Sequence, residues 1–391
     1  MQNTSKGLRF QIAILGKVNA GKSSFLNLMT GQNVSIVSEV AGTTTDVVEK
    51  AQELHTFGPV LWLDTAGFGD QTDLADKRMA KTLKVLERAD AAILVFENEG
   101  EYEKKIEALL GQKKVPLIKV LNKKDKCDAQ IKENTVILNA VDQSKRLKAV
   151  AVIEKELLKI CPEEWLNQTP MLSDLVPEGG VVIMIVPVDF EAPKGRLILP
   201  QVQAIRDCLD GSQMVLVCKE TEYLKALSSL KVRPDLVVCD SQVVDFMVSA
   251  TPANIKCTTF SVLMARLKGD VNTYAKGAKK IWQLNDGDRV LISESCTHHA
   301  SDDDIGTVKI PALMRKKTGK NLVFEHVSGC DFKDDLKNYK LIVQCGGCTQ
   351  NRRAILSKIA AAEAAGVAIT NYGICLSELN GVLDRVLAPF D

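Results

Sequence analysis

Phe10-Gln-Ile-Ala-Ile-Leu15, followed at once by Gly16-Lys-Val-Asn-Ala-Gly-Lys-Ser23, decides the fold of the N-terminal part of this chain. The first run is short, apolar and bounded by glycine, which reads as a buried strand. The second has the spacing G-x-x-x-x-G-K-S, and the residues through Met29 continue as an amphipathic helix. Strand, glycine-rich loop and helix in that order make a phosphate cradle. Glycine lets successive backbone N–H groups curl around an anion, and the helix N-terminus adds a favourable dipole. A chance glycine-rich turn has no reason to stand between a strand and a helix. Gly16, Asn19, Ala20, Gly21, Lys22, Ser23 and Ser24 are the expected phosphate-binding residues. Lys22 is expected to meet the β- and γ-phosphates, and the Ser23 hydroxyl to ligate Mg²⁺.

Two further segments select the nucleotide. Asp64-Thr-Ala-Gly67 follows the apolar run Val60-Leu-Trp-Leu63, so a carboxylate is expected at a strand end beside the metal, with the Gly67 N–H offered to the γ-phosphate. Asn122-Lys-Lys-Asp125 follows the run Val115–Leu121. A carboxylate at Asp125 can accept both the N1–H and the 2-amino group of guanine, a pair that adenine does not present. Together with Asn122 and Lys123 it points to GTP or GDP rather than an adenine nucleotide.

These residues resemble the translation-factor-type GTPases, and more closely their Era and MnmE-like branch, whose G-T-T-x-D motif is matched by Gly42-Thr-Thr-Thr-Asp46. The resemblance implies Thr44 on Mg²⁺, Asp64 on Mg²⁺ through water, and Asn122 and Asp125 on the base. The fifth motif, S-A in the family, is Asn139-Ala140 after the run Thr135–Leu138, which leaves a backbone contact from Ala140. Asn19 matches the asparagine with which potassium-stimulated relatives bind a monovalent cation; the alternative is a tolerated residue at a variable loop position. Phe68 stands where Ras-type enzymes carry a water-orienting glutamine. An apolar side chain cannot orient water, so intrinsic GTP hydrolysis by Lys22, Thr44, Asp64 and Gly67 is expected to be slow.

The 391 residues suggest two to three domains at about 150 residues each. Short β-type runs alternate with helix-length amphipathic segments to the end of the chain, which reads as α/β with mainly parallel sheets. The expected division is a P-loop GTPase domain over 7–168, an α/β domain over 171–269 and a second over 270–391. Strands are expected at Val181–Val186, Met214–Cys218, Asp235–Cys239 and Lys256–Thr259, then at Arg289–Ser293, Asn321–His326, Leu341–Val343 and Val367–Thr370. The last helix is expected to run unbroken from Ile374 to Ala388. The formal charge of +1 supplies no global basic field, which argues against nucleic acid and anionic membrane as partners. The apolar run Val181–Val188 is far short of the ~18–20 residues that cross a bilayer. No signal-peptide pattern opens the chain, and the expected location is a reducing cytoplasm where thiols stay free.

Eleven cysteines are too few for a disulfide scaffold, and an odd number cannot pair completely. Cys296-Thr-His-His follows one expected strand, and Gln344-Cys-Gly-Gly-Cys348 follows another. If those strands are neighbours in a parallel sheet, Cys296, Cys345 and Cys348 gather at its carboxyl edge, where open α/β sheets place their sites. Three thiolates are one short of a full set for a four-iron cluster. The fourth corner is open between His298, His299, a carboxylate among Asp302–Asp304, water and an exchangeable small molecule. A Cys₃His zinc site and a thioredoxin-like dithiol are the competing readings. Cys330 is a weaker candidate ligand; Cys218 and Cys239 read as core thiols, and Cys127, Cys161, Cys208, Cys257 and Cys375 have no ligand-like spacing.

A GTPase domain followed by C-T-H-H and C-G-G-C in a C-terminal α/β domain resembles the HydF family of [FeFe]-hydrogenase maturation GTPases. That family shows C-x-H and later H-C-x-x-C; here Gln344 stands where many members have histidine. The resemblance spans the chain, with the segment Gly195–Asp207 reading like the family's dimerisation domain, and it alone implies a homodimer. It further implies a [4Fe-4S] scaffold or carrier that receives a transient diiron precursor, made with the help of two radical-SAM maturases, and passes it to apo-[FeFe]-hydrogenase. The alternatives are an RNA- or ribosome-associated GTPase of the Era and MnmE-like branch, and a GTPase fused to a thiol-redox module. The first lacks a basic RNA-binding appendage or a KH-type loop. The second predicts a reversible Cys345–Cys348 disulfide in place of a cluster.

Overall fold

The computed structural model of the protein describes residues 4–32, 48–65, 74–123, 130–132, 134–161, 165, 169–188, 195, 197–295, 304–329, 332 and 335–390. They form two compact units, Met1–Gln168 and Thr169–Asp391.

The first unit runs β1 (Phe10–Leu15), α1 (Lys22–Thr30), β2 (Val48–Leu54), β3 (Gly58–Asp64), α2 (Leu74–Arg88), β4 (Ala91–Phe96), α3 (Glu101–Gln112), β5 (Leu117–Asn122), β6 (Gln130–Lys132), β7 (Thr135–Leu138) and α4 (Arg146–Ile160). Its sheet has the order β2-β3-β1-β4-β5-β7-β6. Every residue of β1 and β4 is buried, because helices cover both faces of a central parallel strand. Only the edge strands β2 and β6 are antiparallel to their neighbours. Neither was expected from sequence. Val-Glu-Lys-Ala-Gln-Glu-Leu offers no apolar run, since an edge strand is only half covered. This unit is a P-loop GTPase domain.

The second unit contains two wholly parallel four-stranded sheets. The first, ordered β11-β10-β8-β9, comes from β8 (Val181–Ile185), α5 (Leu199–Asp210), β9 (Met214–Cys218), α6 (Tyr223–Ser229), β10 (Leu236–Cys239), α7 (Val244–Ala250), β11 (Lys256–Thr259) and α8 (Phe260–Lys268). The second, ordered β13-β12-β14-β15, comes from α9 (Val271–Lys279), β12 (Arg289–Glu294), α10 (Ile310–Thr318), β13 (Val323–Ser328), β14 (Leu341–Gln344), α11 (Arg352–Ala364), β15 (Ala368–Asn371), α12 (Tyr372–Leu379) and α13 (Leu383–Leu387). One hydrophobic core joins them: Ile183, Val237 and Cys239 of the first sheet belong to the same cluster as Val290, Ile292 and Val343 of the second.

Most of the thiols expected to be structural are buried where they are described, but Cys218, expected in the core, is not. Cys208, Cys239, Cys257 and Cys375 are buried in this unit and Cys161 in the other, while Cys218 on the edge strand β9 is half-buried. Burial pushes the Cys161 thiol up to about 11 and the Cys208 thiol up to about 12, so neither is a ready nucleophile or ligand.

The expected helix from Ile374 to Ala388 is instead two. Asn380-Gly381 closes α12: the Gly381 N–H reaches the Glu378 carbonyl at 2.9 Å and the Val382 N–H reaches Ser377 at 2.9 Å, the paired bonds of a glycine helix stop. Helical periodicity resumes in α13, which is why sequence alone joined them. Among the described residues no helix is long and apolar enough to cross a membrane.

Helix α9 crosses β15 at Gly277, where a Cβ would overlap the Ile369 carbonyl oxygen. The obstacle is backbone and cannot rotate away. Gly277→Ala is expected to destabilise the second unit by ~3 kcal/mol, the upper end of ordinary overpacking. Calorimetry would show its transition shifted down with the GTPase unit unmoved; an unchanged midpoint would contradict this packing.

Candidate functional site

Parallel pairing brings the carboxyl ends of β1, β3 and β5 to one edge of the first sheet. Ile14 is in register with Asp64, and Asn122 with Leu138. The loop after β1 therefore lies beside the carboxylate that ends β3. Lys22 opens α1 with its side chain buried, its ammonium donating to the carbonyls of Gly16 at 3.1 Å and Lys17 at 2.8 Å. Burial pulls its pKa down to about 8, opposed by the nearby Asp64. Such an ammonium, held by its own loop and short of a full counter-charge, suits a polyphosphate.

The Ser23 hydroxyl donates to Asp64 Oδ2 at 3.3 Å. Asp64 Oδ1 is buried with no hydrogen-bond partner among the described residues. Burial raises the Asp64 pKa, Lys22 and Ser23 opposing it. A hydroxyl and a half-satisfied buried carboxylate are hard oxygen donors, which fits Mg²⁺ held by Ser23 directly and by Asp64. Thr65 fixes this corner by donating from its hydroxyl to the Ile14 carbonyl at 2.7 Å.

Asn122 ties two loops together. Its amide nitrogen donates to the Ala20 carbonyl at 3.2 Å, and its Oδ1 accepts from the Ala140 N–H at 3.0 Å. Gly21 packs against that amide with φ +92°, and a side chain there would overlap Asn122 Nδ2. The Ala140 N–H is thus engaged by Asn122, and the Lys123 N–H by the Leu138 carbonyl at 2.9 Å. Asn19 is exposed on a left-handed backbone, φ +64°, which asparagine tolerates better than most residues. Ser24 follows half-buried in α1. Thr44, Gly67, Phe68 and Asp125 lie outside the described residues.

In the second unit β12 and β14 are parallel neighbours, Ser293 opposite Gln344, so the condition set by the sequence reading is met. The Cys345 N–H continues the ladder to the Ser293 carbonyl at 2.8 Å. The Ser295 N–H donates to Cys345 Sγ at 3.1 Å, and the thiol donates to Ser295 Oγ at 3.2 Å. Cys345 and Cys348 are half-buried and not joined in a disulfide. Two soft donors at a sheet edge, one already accepting a backbone N–H, suit an iron–sulfur or zinc site. Cys296, His298, His299, Asp302 and Cys330 lie outside the described residues, and among the described ones no three metal-ligating side chains converge.

Asp304 is occupied as a helix cap, accepting from the Thr307 N–H at 2.6 Å and the Thr307 hydroxyl at 2.8 Å. Gln344 is buried and donates from its amide to the Tyr274 hydroxyl. Tyr372 donates to Glu294 Oε1 at 3.0 Å, and its pKa is pushed up by burial and then by Cys345. Tyr274, Tyr372 and Lys268 all stand around the thiol loop, and nothing in their sequence spacing singled them out.

Three family profiles match the chain. One described as a 50S ribosome-binding GTPase covers residues 11–123. One described as the hydrogen maturase F dimerization domain covers 171–269, and one described as the hydrogen maturase F tetramerization domain covers 272–389. Among curated proteins, the tRNA modification GTPase MnmE of Prochlorococcus marinus (strain NATL1A) is 37% identical over 143 residues, 33% of this chain and 31% of that protein. The GTPase Der of Wolinella succinogenes is 39% identical over 129 residues, 32% of this chain and 27% of that protein. The chain thus spans less than a third of the length of these curated relatives. Among solved structures, Aquifex aeolicus Era bound to GDP and AlF4⁻ is 19% identical with a TM-score of 0.34, covering 54% of this chain and 93% of that one.

Proposed function

The chain belongs to the hydrogen maturase F family, and from that premise we propose that it is a GTP-hydrolysing iron–sulfur scaffold or carrier for [FeFe]-hydrogenase maturation. The observation that carries this reading is the pair Cys345 and Cys348 at the carboxyl edge of a parallel sheet, in a chain that also holds a P-loop.

In the GTPase unit, Lys22 neutralises the β- and γ-phosphates, Ser23 and Thr44 ligate Mg²⁺, and Asp64 orients its coordination sphere. Gly67 offers its N–H to the γ-phosphate, and Asn122 with Asp125 reads guanine. Gly16, Ala20, Gly21 and Ser24 shape the phosphate loop, Lys123 and Ala140 support the base, and Asn19 is the candidate K⁺ ligand. Hydrolysis is slow because Phe68 cannot orient water.

Cys296, Cys345 and Cys348 hold the cluster, with His298 as candidate fourth ligand. A [4Fe-4S] cluster held by three thiolates supplies one iron with an exchangeable position. The Ser295 N–H steers the Cys345 sulfur. The diiron precursor is cargo, received with the two radical-SAM maturases as partners and delivered to apo-[FeFe]-hydrogenase. Residues 171–269 serve dimerisation, supported by the exposed Met214 and Val217 on the edge strand β9, and 270–391 carry the cluster. Nucleotide state biases partner contact.

Anaerobic reconstitution with iron and sulfide tests the reading. The wild type is expected to bind four irons, as a [4Fe-4S] cluster does, and to give a reduced-state EPR signal. Cys296→Ala, Cys345→Ala and Cys348→Ala each lose that signal. Stoichiometric zinc, or no metal with a reversible Cys345–Cys348 disulfide, would overturn the scaffold in favour of the zinc or redox reading.

A further inference from the structure

Helix α8 ends in Lys268, which is only 3% exposed. Its ammonium donates to three carbonyls of one short loop: Gly347 at 3.3 Å, Cys348 at 2.9 Å and Gln350 at 2.7 Å. All three of its donors are thereby used on the loop that carries the C-G-G-C thiols. The lacing is reciprocal. Arg352, at the start of α11 just beyond that loop, donates to the carbonyls of Leu267 at 3.2 Å and Gly269 at 3.3 Å, the residues on either side of Lys268.

Carbonyl oxygens solvate an ammonium but carry no net charge. Removing a lysine from water without a counter-charge costs several kcal/mol. No carboxylate pairs with Lys268 among the described residues, and the ionisable groups that face it are the thiols of Cys348 and Cys345, neutral until they lose a proton or bind a metal. A site built around a buried cation and two thiols is electrically incomplete until the thiols, or what they bind, carry negative charge.

We infer that Lys268 is the positioning residue of the thiol loop: its ammonium ties residues 347–350 to the end of α8 and is the fixed counter-charge of the anionic metal–thiolate centre. The inference rests on the cluster reading above for its electrostatic half and on the hydrogen bonds alone for its structural half. A fixed positive charge stabilises the more negative, reduced state of a cluster, so removing it lowers the reduction potential.

The test uses the full chain carrying Lys268→Met, Lys268→Gln or Lys268→Arg. In metal-free protein, amide hydrogen exchange over 345–350 should quicken at least tenfold in Lys268→Met. In reconstituted protein, an EPR-monitored redox titration should show the midpoint of Lys268→Met and Lys268→Gln moved at least ~59 mV negative. That is a tenfold change in the reduced-to-oxidised ratio for one electron. Lys268→Arg, which keeps the charge, should restore the potential. Folded Lys268→Met and Lys268→Gln proteins with wild-type potentials would overturn the counter-charge role, and unchanged exchange would overturn the tether. If Lys268→Met does not fold, Lys268→Gln against Lys268→Arg decides between the same outcomes. A wild type that takes up no cluster defeats the scaffold reading and with it the counter-charge role, while the exchange arm still decides the tether.

Discussion

Lys22→Ala is expected to lower single-turnover GTP hydrolysis by ~10²–10³-fold, the effect of removing one preorganised donor from developing phosphate charge. The ammonium is already gathered over its loop by the Gly16 and Lys17 carbonyls, so little reorganisation is needed when triphosphate enters. Phosphate release after rapid mixing measures the loss. Circular dichroism should be unchanged, because the two carbonyls left behind line a site that water can enter. A rate within threefold of wild type would mean that the phosphates lie elsewhere.

The same lysine predicts a pH dependence. Burial holds its pKa at about 8 against an ordinary 10.5. The nucleotide-free protein therefore loses this charge as pH rises through 8, and binding GTP must take a proton back. Affinity for GTP should weaken above pH 8 by up to about tenfold per pH unit. Stability moves the other way. A lysine with a lowered pKa in the folded state is a burden below pH 8, and that burden is relieved as pH rises from about 8 towards 10.5. Calorimetric Kd values across pH 7 to 9.5, with no such slope in Lys22→Met, separate this group from others.

Asp125→Asn should exchange guanine for xanthine preference, with the ratio of the two affinities inverting by ~10⁴, the discrimination reached by a site built to hydrogen-bond its ligand. A carboxylate at this position would accept the N1–H and the 2-amino group of guanine, whereas an amide would offer a donor to xanthine's 2-carbonyl. Asn122 makes the exchange clean: it anchors its loop to Ala20 and Ala140, so the loop should keep its place when Asp125 changes. Competition between GTP and XTP for a fluorescent guanine nucleotide reads the ratio. Retained GTP selectivity would mean that another group reads the base.

Much of the fold was legible because the signals are local. A strand buried on both faces shows as a mostly apolar run, and β1 and β8 do so; β4, equally buried, was not singled out. The edge strands β2 and β6 gave no such run, and the stop at Asn380-Gly381 lay inside a sequence that keeps helical spacing on both sides. The nucleotide site was legible for a related reason: each of its parts is a contiguous motif that the backbone itself must form.

The sequence by itself determined a phosphate-loop motif, an N-K-K-D motif and two cysteine motifs, since each is carried by residues a few positions apart. Only the tertiary structure decided how those motifs meet. It paired β12 with β14, set the Ser295 N–H against Cys345, and brought Lys268 from the end of α8 beneath the thiol loop, 79 to 82 positions away in sequence. A buried lysine has no local signature; its role appears only when the loop it binds is brought in from another sheet.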